Sequence, residues 1–124
     1  MRIYKSKWFS KWADKEGLQD SDLTIAVQEM QYGLIDADLG GHVVKKRVGL
    51  NGQGKRGGVR TLLAFKIDEK AFFMFGFAKN QQDNIDKKAL KTLRLMAKEL
   101  LSYSEKQILT AINKGELIEV KHNE

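Results

Sequence analysis

Four consecutive runs decide the fold: Val43-Val44-Lys45-Lys46-Arg47-Val48, then Asn51-Gly52-Gln53-Gly54-Lys55-Arg56-Gly57-Gly58, then Val59-Arg60-Thr61-Leu62-Leu63-Ala64-Phe65-Lys66-Ile67, then Ala71-Phe72-Phe73-Met74-Phe75-Gly76-Phe77. Valine, isoleucine and phenylalanine dominate the first, third and fourth, which are bounded by turn residues and read as strands. The second run is a glycine-rich basic loop, and Asp68-Glu69-Lys70 is a tight turn, so the three strands form an antiparallel meander with short connections. The last strand is almost entirely apolar and is expected to be central and buried on both faces. Strand side chains alternate, which puts Lys45 and Arg47 on one face and Lys46 on the other. An antiparallel neighbour can bring Arg60 close to the first two.

Helical patterns flank this centre. Residues 3–16 begin extended and continue as a helix with Trp8, Phe9, Trp12 and Ala13 at helical spacing, ended by Gly17. Aromatic rings so spaced can stack nucleobases, but the plainer expectation is a stripe facing the core. A second helix spans 21–32, capped by Asp20 or Ser21, with Leu23, Ala26, Val27 and Met30 on one face and Gly33 behind it. The short joint Gly17-Leu18-Gln19 suggests an antiparallel helical hairpin. Residues 85–101 form a long helix capped by Asp83 or Asn84. Ser104 and Gln107 make a capping box for another helix that runs to Gly115, and Leu117–Val120 can add a last strand. The expected fold is a single α+β domain over 1–124: a small twisted antiparallel sheet with an N-terminal helical hairpin and C-terminal helices.

Composition narrows the function. The 124 residues carry a net charge of +6 and no cysteine or proline, which excludes disulfides and thiolate chemistry. No apolar run approaches the ~20 residues of a membrane span, and Met1-Arg2-Ile3-Tyr4-Lys5 lacks the apolar core of a signal peptide, so a cytoplasmic protein without a membrane partner is expected. The charge is concentrated. Lys45, Lys46, Arg47, Lys55, Arg56, Arg60 and Lys66 occur with no acid between Asp38 and Asp68, while the other 15 basic and 16 acidic residues nearly cancel. A concentrated excess points to a polyanion site; the plainer alternative is a solvated basic strand pair.

The same block carries a resemblance. Asp38-Leu39-Gly40-Gly41, Lys45-Lys46-Arg47, Gly54-Lys55-Arg56-Gly57-Gly58-Val59-Arg60 and Gly76-Phe77-Ala78-Lys79-Asn80 follow one another in an order that resembles the RelE/HigB toxins of toxin–antitoxin systems, over nearly the whole chain. The resemblance implies a small twisted antiparallel sheet with packed helices. It also implies a bacterial ribosome-dependent endoribonuclease that cuts mRNA and inhibits translation, a cognate antitoxin as partner, and RNA and the ribosome as targets. Cofactors and metals are not expected. The implied catalytic residues are Lys45, Arg47, Arg60 and Lys79, and the implied RNA-binding residues are Lys46, Lys55, Arg56 and Asn80.

The chemistry fits those residue types. Attack of a ribose 2′-oxygen on the adjacent phosphorus needs a proton acceptor, stabilisation of phosphate charge and a proton donor for the leaving 5′-oxygen. Arginine forks match phosphate oxygens, giving Arg47 and Arg60 the phosphate. A lysine serves as base only where crowding by cations lowers its pKa, which nominates Lys45 or Lys79. His42, His122 and Tyr103 are weaker candidates for acid or base. The glycine-rich loop lacks the GxxxxGK[ST] spacing of a triphosphatase, and Asp36 and Asp38 read as a helix-to-strand connection rather than a metal site. The alternatives are a ParE-like inhibitor of DNA gyrase on the same fold and a non-catalytic nucleic-acid-binding module.

Overall fold

In chain order the elements are β1 (Arg2–Ser6), α1 (Lys7–Glu16), α2 (Asp20–Gln31), β2 (Ala37–Asp38), β3 (Val43–Val48), β4 (Val59–Lys66), β5 (Lys70–Phe77), α3 (Lys87–Ser102), α4 (Glu105–Asn113) and β6 (Leu117–Glu119). The structure, a computed structural model, describes residues 1–50, 58–78 and 85–121. The expectations for Lys55, Arg56, Lys79, Asn80 and His122, and for Asp83 or Asn84 as a cap, lie outside the described residues.

The strands form one sheet in the order β2-β3-β4-β5-β1-β6. The β3-β4-β5 meander is antiparallel, as the sequence predicts. The extended start of the chain contributes more than expected. β1 inserts between β5 and β6, parallel to the first and antiparallel to the second, so the sheet is mixed rather than wholly antiparallel. Ile3 and Tyr4 explain the insertion, because they are buried on opposite faces of the sheet. Residues 37–38, read as part of a connection, form a short edge strand on β3.

Each sheet face has its own core. On one face Val44, Val48, Val59, Leu63, Phe65 and Phe73 meet Phe9 and Ala13 of α1 and Leu23, Ala26, Val27 and Met30 of α2. On the other, Val43, Ala64, Phe72 and Met74 meet Ala97 and Leu100 of α3 and Ile108 and Ala111 of α4. Neighbouring residues of β3 and β4 part between the two cores, Val43 and Ala64 to one and Val44, Val48, Val59, Leu63 and Phe65 to the other, which is the alternation of a two-faced sheet.

Local chemistry sets the helix ends. Ser6 accepts the Phe9 N–H at 3.0 Å and starts α1. Gln19, rather than Asp20 or Ser21, precedes α2; its backbone N–H donates to Asp22, which ties the first turn from the inside. Asp86 starts α3 by accepting the Ala89 N–H at 2.7 Å. The Ser104–Gln107 capping box forms as read from the sequence.

Candidate nucleic-acid interface

Strand alternation places Lys45 and Arg47 with Val43, on the sheet face that carries α3 and α4, and places Arg60 with Ala64 on that face of β4. The register then sets Arg47 directly opposite Arg60, with Lys45 opposite Leu62. Lys45 and Arg47, two residues apart on one strand, have Cα atoms about 7 Å apart. Arg47 Nε and Arg60 Nη1 are buried and have no hydrogen-bond partner among the described residues. Opposed like charges destabilise a sheet pair, and buried donors without partners add to that cost. An anion with several acceptor oxygens bound between the two guanidinium groups relieves both.

Two acids hold the neighbouring backbone without occupying the arginine side chains. The Asp36 carboxylate accepts the Arg47 backbone N–H, and the Asp36 N–H donates to Lys45 O at 3.0 Å. Asp38 accepts the Gly40 N–H at 2.9 Å. They fasten the chain before β3 along its edge, Asp36 from the connection and Asp38 from the edge strand β2.

Lys46 departs from its expected place among RNA-binding residues. Its side chain turns to the α1/α2 face, is 1% exposed, and donates to Glu29 Oε1 at 2.9 Å and to Leu34 O at 2.8 Å. Above it, Thr61 Oγ1 donates to Lys46 O at 2.8 Å. An ammonium enclosed in this way is part of the scaffold. It anchors α2 and the chain after it to β3, and it presents nothing to a ligand on the arginine face.

The weaker acid–base candidates lie elsewhere. His42 sits at the start of β3, at the opposite end of the strand from Arg47, where it lines a groove of about 570 Å³ with Lys66, Lys91, Arg94 and Lys98. Tyr103 joins α3 to α4, and its carbonyl accepts from Lys70 at the far end of β5 from Phe77. Burial raises the pKa of its hydroxyl, with Glu99 adding to the effect.

The glycines of the sequence motif have a steric reason. A Cβ on Gly58 would lie 2.0 Å from Val48 O, so the hairpin closes there only without a side chain. Gly76 faces Trp12, whose Cζ3 lies 2.2 Å from where a Cβ would be. The aromatic stripe of α1 splits accordingly. Phe9 is fully buried against Phe73 and Trp12 lies over Gly76, but Trp8 is 47% exposed and stacks on Phe75, itself 39% exposed. The expected core stripe therefore holds for Phe9 and Ala13 and fails for Trp8. Phe75 was missed altogether, because a phenylalanine inside an apolar strand gives no sign that it is partly outside.

No curated protein matches the chain. The family model described as the RelE toxin of the RelE/RelB toxin–antitoxin system matches residues 1–120. That span includes both cores, the opposed arginines and the aromatic stack. The chain belongs to the RelE toxin family, the toxic partner of a toxin–antitoxin system.

Proposed function

We propose that the chain acts as a ribosome-dependent mRNA endoribonuclease of the RelE/HigB kind, inhibiting translation in the bacterial cytoplasm until its cognate antitoxin binds it. The observation that carries this reading is the Arg47–Arg60 pair, two opposed guanidinium groups with unpartnered buried nitrogens on a sheet face shared with Lys45.

In the reaction the ribose 2′-oxygen forms a bond to phosphorus and the P–O5′ bond breaks. The products are a 2′,3′-cyclic phosphate and a free 5′-hydroxyl. Arg47 and Arg60 bind the non-bridging oxygens, where negative charge develops. Lys45 and Lys79 are assigned to proton movement: one group takes the 2′-hydroxyl proton and one protonates the leaving 5′-oxygen. Lys55, Arg56 and Asn80 are assigned to the RNA backbone. The ribosome holds the mRNA in position, and positioning alone supplies a large part of the rate.

The test is inducible expression of the wild type and of Arg60→Ala in a bacterial host, with growth followed and mRNA 5′ ends mapped. Growth arrest with new cuts in translated regions, lost in Arg60→Ala, is the expected result. Arrest with intact mRNA transfers the reading to gyrase inhibition. No arrest, with salt-dependent RNA binding only, leaves a binding module.

A further inference from the structure

The rings of α1 and β5 form a short ladder. Trp12 and Trp8 stack at 6.0 Å between centroids and 13° between planes, and Trp8 and Phe75 at 4.4 Å and 21°. Trp12, the inner rung, is wedged over Gly76. Trp8 lies between the two other rings. Phe75 is the outer rung: Trp8 covers one side, yet 39% of the residue remains exposed.

A β-bulge decides where this outer ring points. Leu63 pairs with Phe73 and the next pair along is Leu62 with Phe75, which leaves Met74 as an extra residue in β5. Strict alternation from Phe73 would send Phe75 to the α1/α2 face. The added residue turns it opposite Leu62, onto the face of Lys45, Arg47 and Arg60. The rows across the sheet then read Lys45–Leu62–Phe75 and Arg47–Arg60–Phe77. Phe75 is two strands from Lys45, about 10 Å between Cα atoms.

An aromatic ring held from behind and open in front, beside a row of cations, matches what single-stranded nucleic acid offers: a flat base next to a phosphate. The geometry points to Phe75, backed by Trp8 and Trp12, as the seat on which a nucleobase of single-stranded RNA stacks while Arg47 and Arg60 hold a neighbouring phosphate. This rests on the RNA reading of the cationic face and adds a base contact to it. The contact selects RNA whose bases are unstacked over duplex RNA. It carries little preference for base identity, because every base has a π-face.

The experiment uses the full chain and a short 2′-O-methyl RNA, which lacks the attacking hydroxyl and so stays intact. Its comparison is an abasic oligonucleotide with the same number of phosphates. Binding is read by tryptophan emission and by anisotropy of a labelled oligonucleotide. The base-bearing strand is expected to quench emission and to bind about tenfold more tightly than the abasic one. Phe75→Leu is expected to remove that advantage without changing the affinity for the abasic strand, and Phe75→Trp to restore it. Melting curves of the variants separate a lost contact from a lost fold. Equal affinity for the two strands, absence of binding to either, or an unchanged preference in a folded Phe75→Leu overturns the stacking seat. Loss of mRNA cleavage as the chain's activity is a different result: it would appear in the expression test, with base-dependent binding here intact.

Discussion

Arg47 stands directly opposite Arg60 across the β3–β4 ladder, and each keeps a buried guanidinium nitrogen without a hydrogen-bond partner among the described residues. Replacing Arg60 by leucine removes the repulsion and the orphan donor together. Arg60→Leu is expected to stabilise the fold by about 1 kcal/mol, or about 4 °C in the melting midpoint, while abolishing toxicity. The gain should shrink in high salt, which screens the wild-type repulsion. Added phosphate should raise the midpoint of the wild type more than that of the variant. A variant that melts at or below the wild type in low salt contradicts this account of the pair.

Lys46 makes the opposite prediction. Its ammonium is enclosed and paired with Glu29 and the Leu34 carbonyl. Glu29→Ala strands that charge in the core and is expected to cost about 3 kcal/mol. Lys46→Met, which removes the charge but keeps the length, should cost clearly less, and the double variant should recover much of the Glu29→Ala loss. Urea unfolding of the three variants measures this. An additive double variant would show that the two side chains act independently.

Gly76 leaves room for Trp12, with no space for a methyl group. Gly76→Ala is expected to cost about 2 kcal/mol and to shift the tryptophan emission maximum as the indole is displaced. Unchanged emission together with unchanged stability would mean that the indole does not rest on this glycine.

Tyr4 is wholly buried and its hydroxyl is unpartnered among the described residues. Burial raises its pKa above the ordinary 10.0, and the Arg2 guanidinium over the ring opposes this only in part. For an acid whose folded pKa is raised, stability is fully present below the unfolded value and declines as pH rises above it. Tyr4→Phe is therefore expected to be neutral or stabilising by up to about 1 kcal/mol at pH 7. It should also lose less stability than the wild type between about pH 9 and 11. Parallel alkaline limbs in urea midpoints would refute the assignment to Tyr4.

Much of the architecture was legible because it is local. The meander, its apolar central strand, the split of Lys45 and Arg47 from Lys46, and the Ser104–Gln107 cap all follow from spacing within a few residues. The caps of α2 and α3 were misplaced by one or more residues, since several polar residues cluster before each helix and only backbone geometry selects among them. The site was legible in part: alternation brought Lys45, Arg47 and Arg60 to one face. It also sets Lys46 on the other face, away from the RNA contacts expected of it, and only the tertiary structure shows that Glu29 and the Leu34 carbonyl take up its ammonium there.

Sequence by itself determined the periodicities, the turns and the cationic centre of this protein, because each is written in neighbouring residues. Only the tertiary structure decided the rest: β1 between β5 and β6, the facing of Arg47 and Arg60 in register, the enclosure of Lys46 by Glu29, and the bulge at Met74 that turns Phe75 onto the cationic face beside Trp8. Those features depend on pairings between residues far apart in the chain. A shift of one residue in such a pairing sends a side chain to the opposite face, and no local pattern records it.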